Sequence, residues 1–293
     1  MNTKNELRSS CLPNQWDKKS LTARIKDSAC RQRFEAGCPN EVEIEAYAAA
    51  LPRDCSGDTA VILGMTPELR LLAAKSFAKV LTIDYSRQAI ETYTDWLAAP
   101  YRQKEIVING NWLDFPNYLP GQVRVIMGDG IFGNLLDVEQ HRILLANIAG
   151  SLLPDGYFIT RMAVIPDDFN PDEYTALKII DRFRKGRINE TEFGFDTRML
   201  GHYKCCYDQR TFILDNGKLF RECDDFLRAG TISPEELSFI RRYYFAGKNC
   251  IIPECLWQEL LRQHNFSFTI QGRSGRSWYE YYKIYKCIKL RRF

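Results

Sequence analysis

The sequence predicts an α/β fold built on a mostly parallel sheet, and two features of the chain indicate it. Short apolar runs without polar alternation, such as Ala60 to Leu63, are typical of parallel strands that are covered on both faces. A segment with helical spacing follows the first run, with apolar residues at Leu69, Leu72 and Phe77. Because strands and helices alternate, we expect right-handed crossover connections and helices on both faces of the sheet.

The first strand and helix are joined by a turn that suits nucleotide binding. Gly64 follows the strand, and Thr66 is placed to cap a helix that begins at Pro67. A second apolar run, Lys79 to Ile83, ends in Asp84, at about the distance from Gly64 where nucleotide-binding units place a ribose acceptor. An ordinary βαβ unit whose second strand ends in a capping aspartate has the same spacing, so both interpretations stay open here.

The remaining elements are predicted from caps, turn residues and periodicity. The expected strands are Glu105 to Asn109, Val123 to Met127, Tyr157 to Thr160, Ser267 to Gln271 and Tyr281 to Leu290. The expected helices are Glu41 to the residue before Pro52, Arg87 to Leu97, Val138 to Leu153 and Asn170 to Lys185. Two more are expected to start at Ser233 and after Pro253. A further helix from Leu21 to Phe34 is indicated only by a weak periodicity. The last two strands flank a short glycine-rich loop and should pair antiparallel.

We expect one domain with four parts. Residues 1–52 form an N-terminal helical arm or lid, and residues 53–163 form the nucleotide-binding core. Residues 164–247 break the strand-helix alternation and are expected to form a helical insert on the substrate side. Within this insert, Gly194 to Leu227 is aromatic and is predicted to be irregular. Residues 248–293 add a helix and the final pair of strands, which complete the sheet.

Composition limits the function classes. The chain has 293 residues and a formal net charge of +3. This charge is small for the length and does not indicate binding to nucleic acid or to an anionic membrane. No apolar run approaches the roughly 20 residues of a transmembrane helix, and the polar start from Met1 to Lys19 lacks the apolar region of a signal peptide. The ten cysteines include no CxxC pair and no histidine at zinc spacing, so we expect reduced thiols, a cytoplasmic protein and no metal.

The order of these elements resembles that of the class I S-adenosylmethionine-dependent methyltransferases, over about residues 40–163 and 248–290. The resemblance rests on the turn after strand one, the acidic residue that ends strand two, the segments after strands three and four, and the turn Leu152 to Gly156 before strand five. It implies a Rossmann-like seven-stranded sheet with an antiparallel C-terminal hairpin, and S-adenosylmethionine as cofactor. The first motif departs from the family pattern, with Ile62, Thr66 and Glu68 where an acidic residue and two glycines are usual.

The resemblance also implies which residues bind the cofactor. They lie at the ends of the first four strands: Leu63, Gly64, Met65 and Thr66, then Asp84, Tyr85 and Ser86, then Asn111, Trp112, Leu113 and Asp114, and finally Gly128, Asp129 and Gly130. Asp84 would accept hydrogen bonds from the ribose hydroxyls. Asp114 would accept a hydrogen bond from the adenine amino group, or would instead cap the turn before Phe115. Trp112 would lie against the adenine face, or would be an ordinary core aromatic.

Two charged residues are candidates for catalysis or acceptor binding. Asp129 follows strand four and would act as a base towards the acceptor or hold the amino group of the cofactor. Arg161 ends strand five and would bind a carboxylate or phosphate of the acceptor, or would form a salt bridge with a neighbouring carboxylate. The other predicted acceptor-binding residues come from outside the core: Trp16 in the arm, and aromatic residues of the insert that include Phe193, Phe195, Tyr203, Tyr207, Tyr243, Tyr244 and Phe245.

The leading functional prediction is transfer of a methyl group to N or O of a small metabolite or natural-product precursor, as in secondary metabolism. An enzyme of the same fold that cyclises or eliminates S-adenosylmethionine and releases methylthioadenosine is the first alternative. A nucleic-acid methyltransferase is the second, suggested by the basic C-terminal residues Lys283, Lys286, Lys289, Arg291 and Arg292. A nucleotide-dependent oxidoreductase would need a Gly-x-Gly-x-x-Gly turn, which the chain lacks after Gly64. The oligomeric state is open, with a homodimer as one option.

Overall fold

The computed structural model describes residues 35–243, 247–272 and 275–291. The predicted arm helix from Leu21 to Phe34 and the predicted acceptor-binding residues Trp16 and Tyr244 lie outside these ranges. The described part centres on a seven-stranded sheet with the strand order β3-β2-β1-β4-β5-β10-β9.

The first five strands are parallel, as predicted, and the last two complete the sheet at one edge. The sheet strands are β1 (Thr59–Leu63), β2 (Lys79–Asp84), β3 (Glu105–Asn109), β4 (Val123–Asp129), β5 (Leu152–Ala163), β9 (Phe266–Gln271) and β10 (Tyr282–Lys289). β10 pairs antiparallel with both β5 and β9. β5 begins earlier than expected, because the predicted turn at its start pairs with β4 across a register shift.

The helices flank the sheet in the order expected for crossover connections. They are α1 (Glu41–Ala50), α2 (Pro67–Ser76), α3 (Arg87–Tyr93), α4 (Ala99–Arg102), α5 (Val138–Ser151), α6 (Ala176–Arg184), α7 (Glu190–Asp196), α8 (Tyr203–Cys206), α9 (Asn216–Arg228), α10 (Pro234–Arg241) and α11 (Glu254–Gln263). The predicted caps Asn40 and Ser233 form complete capping boxes with the third helical residue. Ser86 also caps α3, which ends at Tyr93 and continues as one 3₁₀ turn (Thr94–Trp96).

Alternate residues of β1 pack into two apolar layers, one on each face of the sheet. Ala60 and Ile62 contact the layer that includes α1 and α2, and Val61 and Leu63 contact the layer that includes α5 and α11. All four side chains are completely buried. This double coverage explains why the strand is apolar from Ala60 to Leu63. Because β1 to β5 are parallel, their carboxyl ends lie at one edge of the sheet.

Helix α1 is fixed to the centre of that edge by Tyr47. The Tyr47 hydroxyl donates to the carbonyl oxygen of Gly128 at 2.8 Å and accepts from the backbone amide of Arg161 at 2.6 Å. A single side chain therefore satisfies one backbone group from each of two neighbouring strands, β4 and β5.

The insert differs from its prediction in two ways. It is not wholly helical, because β6 (Tyr207–Asp208) and β7 (Ile213–Asp215) form a small sheet with β8 (Lys248–Cys250). The segment predicted to be irregular contains a π-helical turn (Thr197–Gly201), α8 and α9. The helix predicted from Asn170 begins at Ala176 instead, because the side chain of Thr175 provides the cap.

No helix in residues 35–243, 247–272 and 275–291 is both long enough and apolar enough to cross a membrane.

Candidate functional site

A cavity of about 1170 Å³, including its mouth, lies at the carboxyl ends of the parallel strands, between the sheet and the insert. Its sheet side is lined by Gly64, Met65, Thr66, Pro67, Asp84, Trp112, Asp129, Gly130 and Ile131. The insert side includes Phe195, Arg198 and Met199, and residues 36–38, Asn249, Ile251 and Tyr282 also contribute. Open α/β sheets bind ligands at this position, beside the point where the strand order reverses, here between β1 and β4.

The turn after β1 brings backbone close to the cavity. Gly64 has a φ of +100°, a left-handed conformation that glycine adopts without a side-chain clash. Its amide donates to the carbonyl oxygen of Ile83 at 2.8 Å. Thr66 precedes α2 as its N-cap residue, with Pro67 as the first helical residue, although the Thr66 side chain does not bond the helix. The N-terminal end of α2, with its positive helix dipole, therefore begins at the cavity wall.

Asp84 lies at the end of β2, where its carboxylate orders the turns on either side. Oδ2 accepts from the amide of Met65 at 3.0 Å, and Oδ1 accepts from the amide of Ser86 at 2.7 Å. The side chain is buried, and burial raises the pKa of Asp84 to about 6, opposed by these two hydrogen bonds. Each carboxylate oxygen keeps acceptor capacity beyond its one backbone bond, so Asp84 can accept two further hydrogen bonds from a ligand in the cavity.

Trp112 forms part of the same wall. Its indole Nε1 donates to the carbonyl oxygen of Ile83 at 2.9 Å, which fixes the ring beside the turn after β1. The ring is close to Gly64, since a Cβ atom on that glycine would lie 3.8 Å from Trp112 Cζ2. Trp112 is therefore a well-packed core aromatic whose ring also lines the cavity.

Asp129 and Arg161 form an ion pair at the ends of β4 and β5. The residues are direct register partners, and Arg161 Nε and Nη2 donate to the two oxygens of Asp129 at 2.7 and 3.1 Å. Arg161 Nη1 donates to Glu43 Oε2 at 2.8 Å, and the guanidinium lies 4.2 Å from the ring centroid of Tyr282. Burial raises the pKa of Asp129, and the charge of Arg161 opposes this shift.

This arrangement corrects the prediction that Arg161 binds the acceptor directly. The Arg161 side chain is completely buried and does not line the cavity, whereas its partner Asp129 does. Burial alone would lower the pKa of Arg161, but the carboxylates of Asp129 and Glu43 raise it well above its ordinary value. The structure therefore shows the salt bridge that was the alternative, with a second carboxylate from α1 that the sequence did not indicate.

Tyr282, at the start of β10, covers Gly130. Gly130 has a φ of +62°, and a Cβ atom there would collide with the Tyr282 hydroxyl oxygen. Burial and the negative charge of Asp129 raise the pKa of Tyr282, so its phenol is neutral near pH 7 and can donate a hydrogen bond. The ring of Tyr282 stacks against that of Phe195, with 5.9 Å between centroids, and so connects the sheet to the insert.

Arg198 is a charged cavity residue that sequence reasoning missed. It lies in the π-helical turn after α7, and such turns are frequent at functional sites. Its Nη2 donates to Asn249 Oδ1 at 2.7 Å, and Asn249 Nδ2 donates to the carbonyl oxygen of Gly133 at 2.8 Å. Asn216, at the start of α9, donates to the same Asn249 oxygen at 2.8 Å. This network holds a buried cation in a fixed position at the cavity wall.

Comparisons with known proteins establish the fold. Neither a protein-family model nor a curated protein matches the sequence. Among solved structures, a possible exported protein from Bordetella parapertussis matches with a TM-score of 0.53 and 12% identity over 96% of this chain and 81% of that chain. A protein from Rhodobacter sphaeroides described as a Zn-dependent alcohol dehydrogenase matches with a TM-score of 0.52 and 16% identity over 94% of this chain and 99% of that chain.

A third structure is a complex between the Haloferax volcanii Trm112 methyltransferase activator and a methyltransferase. It matches with a TM-score of 0.50 and 11% identity over 94% of this chain and 98% of that chain. The sheet has the seven strands and the antiparallel C-terminal pair that the sequence resemblance implied, with β10 antiparallel between β5 and β9. The chain has the class I S-adenosylmethionine-dependent methyltransferase fold. The identities are low, so these similarities establish the fold of the chain and not its substrate.

Within the class I fold, the predicted cofactor residues separate into two groups. Gly64, Met65, Thr66, Asp84, Trp112, Asp129 and Gly130 line the cavity. Leu63, Tyr85, Ser86, Asn111, Leu113, Asp114 and Gly128 do not. Several members of the second group shape the site from behind it: Ser86 caps α3, and Asn111 Oδ1 accepts from the amide of Leu113 at 2.9 Å to start a 3₁₀ helix (Trp112–Tyr118).

Only some of the aromatic residues of the insert that were predicted to bind the acceptor line the cavity. Tyr243 is completely buried in the insert core, where its ring packs edge-on against Phe195, and it does not line the cavity. The structure corrects the prediction for Tyr243, because this residue follows the end of α10 and its ring faces Phe195 of α7 instead of the cavity. Phe195 does line the cavity, and Phe193 lies in the insert core.

Proposed function

We propose that this protein is an S-adenosylmethionine-dependent methyltransferase that acts on a small molecule. The observation that carries the proposal is the position of Asp84. Its buried carboxylate ends β2 of a class I methyltransferase fold, and it lies in a cavity beside the glycine turn that follows β1. A carboxylate there suits two ribose hydroxyls and disfavours a ribose that carries a 2′-phosphate.

The proposed cofactor site occupies the part of the cavity next to β1, β2 and Trp112. Asp84 would accept hydrogen bonds from both ribose hydroxyls. Trp112, Ala89 and Tyr93 supply apolar surface for the adenine, and all three line the cavity. The methionine part would extend from Gly64 towards Asp129 and Gly130. Its carboxylate would be stabilised by the positive N-terminal end of the α2 dipole. Asp114 is partly exposed outside the cavity, so we do not place it against the adenine.

The acceptor would bind between the end of β4 and the insert. Phe195, Met199 and Ile251 supply apolar walls there, and Arg198 with Asn249 supplies a fixed polar region. A cavity of this kind, bounded by side chains from the insert, suits a small molecule better than a nucleic-acid strand. An acceptor with an apolar body and one anionic or strongly hydrogen-bonding group would fit these walls. We propose N or O as the atom that accepts the methyl group.

The transfer itself needs alignment more than activation. A sulfonium methyl group is already electrophilic, so the acceptor atom displaces the sulfide in line, the S–CH₃ bond breaks and a new N–C or O–C bond forms. S-adenosylhomocysteine leaves as the product, and the acceptor gives up one proton if it entered protonated. The cavity walls would supply the alignment and exclude water from the sulfonium.

In this scheme, Asp129 is oriented by Arg161 and does not act as a strong base. Both Asp129 oxygens are hydrogen-bonded to the guanidinium of Arg161, whose charge opposes the rise in the pKa of Asp129 that burial causes. The same carboxylate retains lone pairs that can hold an ammonium group of the cofactor or a donor group of the acceptor. Arg161 is then a positioning residue, because it acts on the ligands only through Asp129.

The basic C-terminal residues that the structure describes, which exclude Arg292, give no support to the nucleic-acid alternative. The Lys283 ammonium pairs with Glu254 at 2.7 Å, Lys289 donates to the carbonyl oxygen of Leu152, and Arg291 pairs with Asp155. Lys286 lies 5.0 Å from the ring centroid of Tyr157. These side chains serve contacts within the sheet edge, whereas binding to phosphates requires a broad basic face.

Product analysis tests the proposed reaction. The purified chain is incubated with S-adenosylmethionine that carries a deuterated methyl group, together with panels of small amines, phenols and carboxylates. We expect S-adenosylhomocysteine to accumulate in step with one labelled acceptor. Methylthioadenosine released without any acceptor would instead support the cyclisation or elimination alternative. The Asp84→Ala variant is the control for contaminating activity.

A further inference from the structure

A second group of reactive side chains lies in the insert, outside the cavity. The ligand atoms of His202, Cys205 and Glu222 all lie within 4.8 Å of one another. Cys223 lies outside this group of three, but its Sγ atom is 3.7 Å from His202 Nε2. None of these four residues lines the cavity. From this arrangement we propose that the insert binds one zinc ion through His202, Cys205, Cys223 and Glu222.

The chemistry of the four side chains suits zinc better than the other common cations. Imidazole and thiolate are the usual protein ligands of Zn²⁺, and a carboxylate often completes a tetrahedral set. Calcium and magnesium prefer oxygen ligands only. Zinc bonds of about 2.0 Å to nitrogen and about 2.3 Å to sulfur in a tetrahedral site place the two ligand atoms about 3.5 Å apart. The observed 3.7 Å between His202 Nε2 and Cys223 Sγ is close to that separation.

Zinc binding is coupled to loss of the thiol protons. Cysteine binds zinc as a thiolate, so ligation through Cys205 and Cys223 releases two protons to the solvent as two Zn–S bonds form.

The positions of these residues in the chain explain why no short motif indicates this site. His202 immediately precedes α8 and Cys205 lies within it, whereas Glu222 and Cys223 come from α9. The neighbouring Cys206 has its Sγ atom 3.4 Å from that of Cys205 but does not belong to the group of mutually close ligand atoms. Only Cys205 of this adjacent pair is therefore a proposed ligand.

A metal at this point would stabilise the wall of the cavity. His202 directly follows the π-helical turn (Thr197–Gly201) that carries Arg198 and Met199. Helix α9 already supports the same wall from its other end, because Asn216 donates to Asn249, which accepts from Arg198. A zinc ion between α8 and α9 would fix the π-helical turn at its C-terminal end as well. Its role would be structural, since no open position faces the cavity.

Zinc stoichiometry tests the proposal. The full chain is stripped with a chelator, given excess Zn²⁺, desalted and analysed by mass spectrometry of the metal. We expect about one equivalent per chain in the wild type and in Cys255→Ser, which replaces an exposed cysteine outside the cluster. We expect less than about a fifth of that in Cys205→Ser, whose side chain is exposed and can be replaced without loss of folding. Equal zinc in Cys205→Ser and wild type, or no retained zinc in the wild type, would overturn the site.

Cobalt gives a second readout that depends on the ligands themselves. With Co²⁺ in place of Zn²⁺, we expect a thiolate-to-cobalt charge-transfer band in the wild type that is weakened in Cys223→Ser and in Cys205→Ser. Circular dichroism checks that both variants remain folded. A wild-type cobalt spectrum without thiolate bands contradicts ligation by the cysteines. Neither measurement uses S-adenosylmethionine, so the outcome is independent of the proposed methyl transfer.

Discussion

Asp129 and Arg161 are register partners on adjacent parallel strands, and their side chains form a two-point ion pair at the edge of the cavity. Only Asp129 reaches the cavity, while Arg161 lies behind it and also binds Glu43 of α1. The strand pairing therefore sets the position of the carboxylate, and the guanidinium fixes its orientation. This relationship makes Arg161 a structural support for the site.

Replacing Arg161 should destabilise the fold strongly. Arg161→Met leaves the carboxylates of Asp129 and Glu43 buried without their shared cation, which costs about 3–5 kcal/mol of unfolding free energy. Urea denaturation measures the change. The matched control is Arg87→Met, because the Arg87–Glu91 pair is largely exposed and should contribute less than about 0.5 kcal/mol. Unchanged stability in Arg161→Met, with weaker binding of the acceptor, would restore the direct role that the sequence suggested.

Gly130 and Gly133 offer a matched pair of substitutions at the cavity. Gly130→Ala should lower the unfolding free energy by about 1–3 kcal/mol, since φ is positive there and the new methyl group collides with the Tyr282 hydroxyl. Gly133→Ala should change it by less than about 0.5 kcal/mol, because nothing lies within 4 Å of the added carbon. Thermal and urea unfolding compare the two. Equal effects would show that Tyr282 does not occupy the space above Gly130.

Ligand binding should depend on pH through Asp84, whose pKa burial raises to about 6. The folded chain binds this proton more tightly than the unfolded chain, so the contribution of Asp84 to stability is greatest below about pH 4 and falls as the pH rises through about 6. Ligand binding has the opposite preference, because ribose hydroxyls donate hydrogen bonds more strongly to the ionised carboxylate of Asp84 than to its protonated form. We expect the affinity for S-adenosylhomocysteine to fall up to about tenfold for each pH unit below the pKa of Asp84.

Calorimetry with S-adenosylhomocysteine between about pH 5 and pH 8 measures this dependence. Asp84→Asn cannot ionise and should show weak affinity that changes little over the same range. A wild-type affinity that is flat across the range, or an equally steep slope in Asp84→Asn, would show that another group controls binding.

The two sides of the cavity should respond differently to substitution. Arg198→Gln removes the cation on the insert side, and we expect its affinity for S-adenosylhomocysteine to stay within about threefold of the wild type. Isothermal titration of the two proteins makes the comparison. A loss as large as that of Asp84→Ala would instead place Arg198 against the carboxylate of the cofactor and move the acceptor elsewhere.

The sheet and its cofactor-side wall were predictable because their signals are local. β3 (Glu105–Asn109) has the predicted bounds, and Gly64, Asp84 and Trp112, which the sequence singles out, line one cavity. Each of these residues follows an apolar run, and the carboxyl ends of parallel strands must meet at one edge. Local periodicity and turn chemistry therefore contain enough information for this half of the site.

The insert side could not be predicted because its contacts join distant parts of the chain. Arg198 is held by Asn249, 51 residues away in sequence, and Arg161 binds Glu43, 118 residues away. Neither pairing leaves a spacing that can be recognised in the sequence. The prediction for Tyr243 failed for a related reason, since an aromatic residue just after the end of a helix gives no sign of which neighbouring layer will cover it.

Isothermal titration of S-adenosylmethionine tests the proposed function most directly. We expect the wild-type chain to bind with a dissociation constant in the micromolar range, near −8 kcal/mol, and Asp84→Ala to lose most of that affinity while it stays folded by circular dichroism. A wild-type chain that gives no binding heat and no thermal stabilisation with S-adenosylmethionine, or an Asp84→Ala variant with unchanged affinity, would contradict the account.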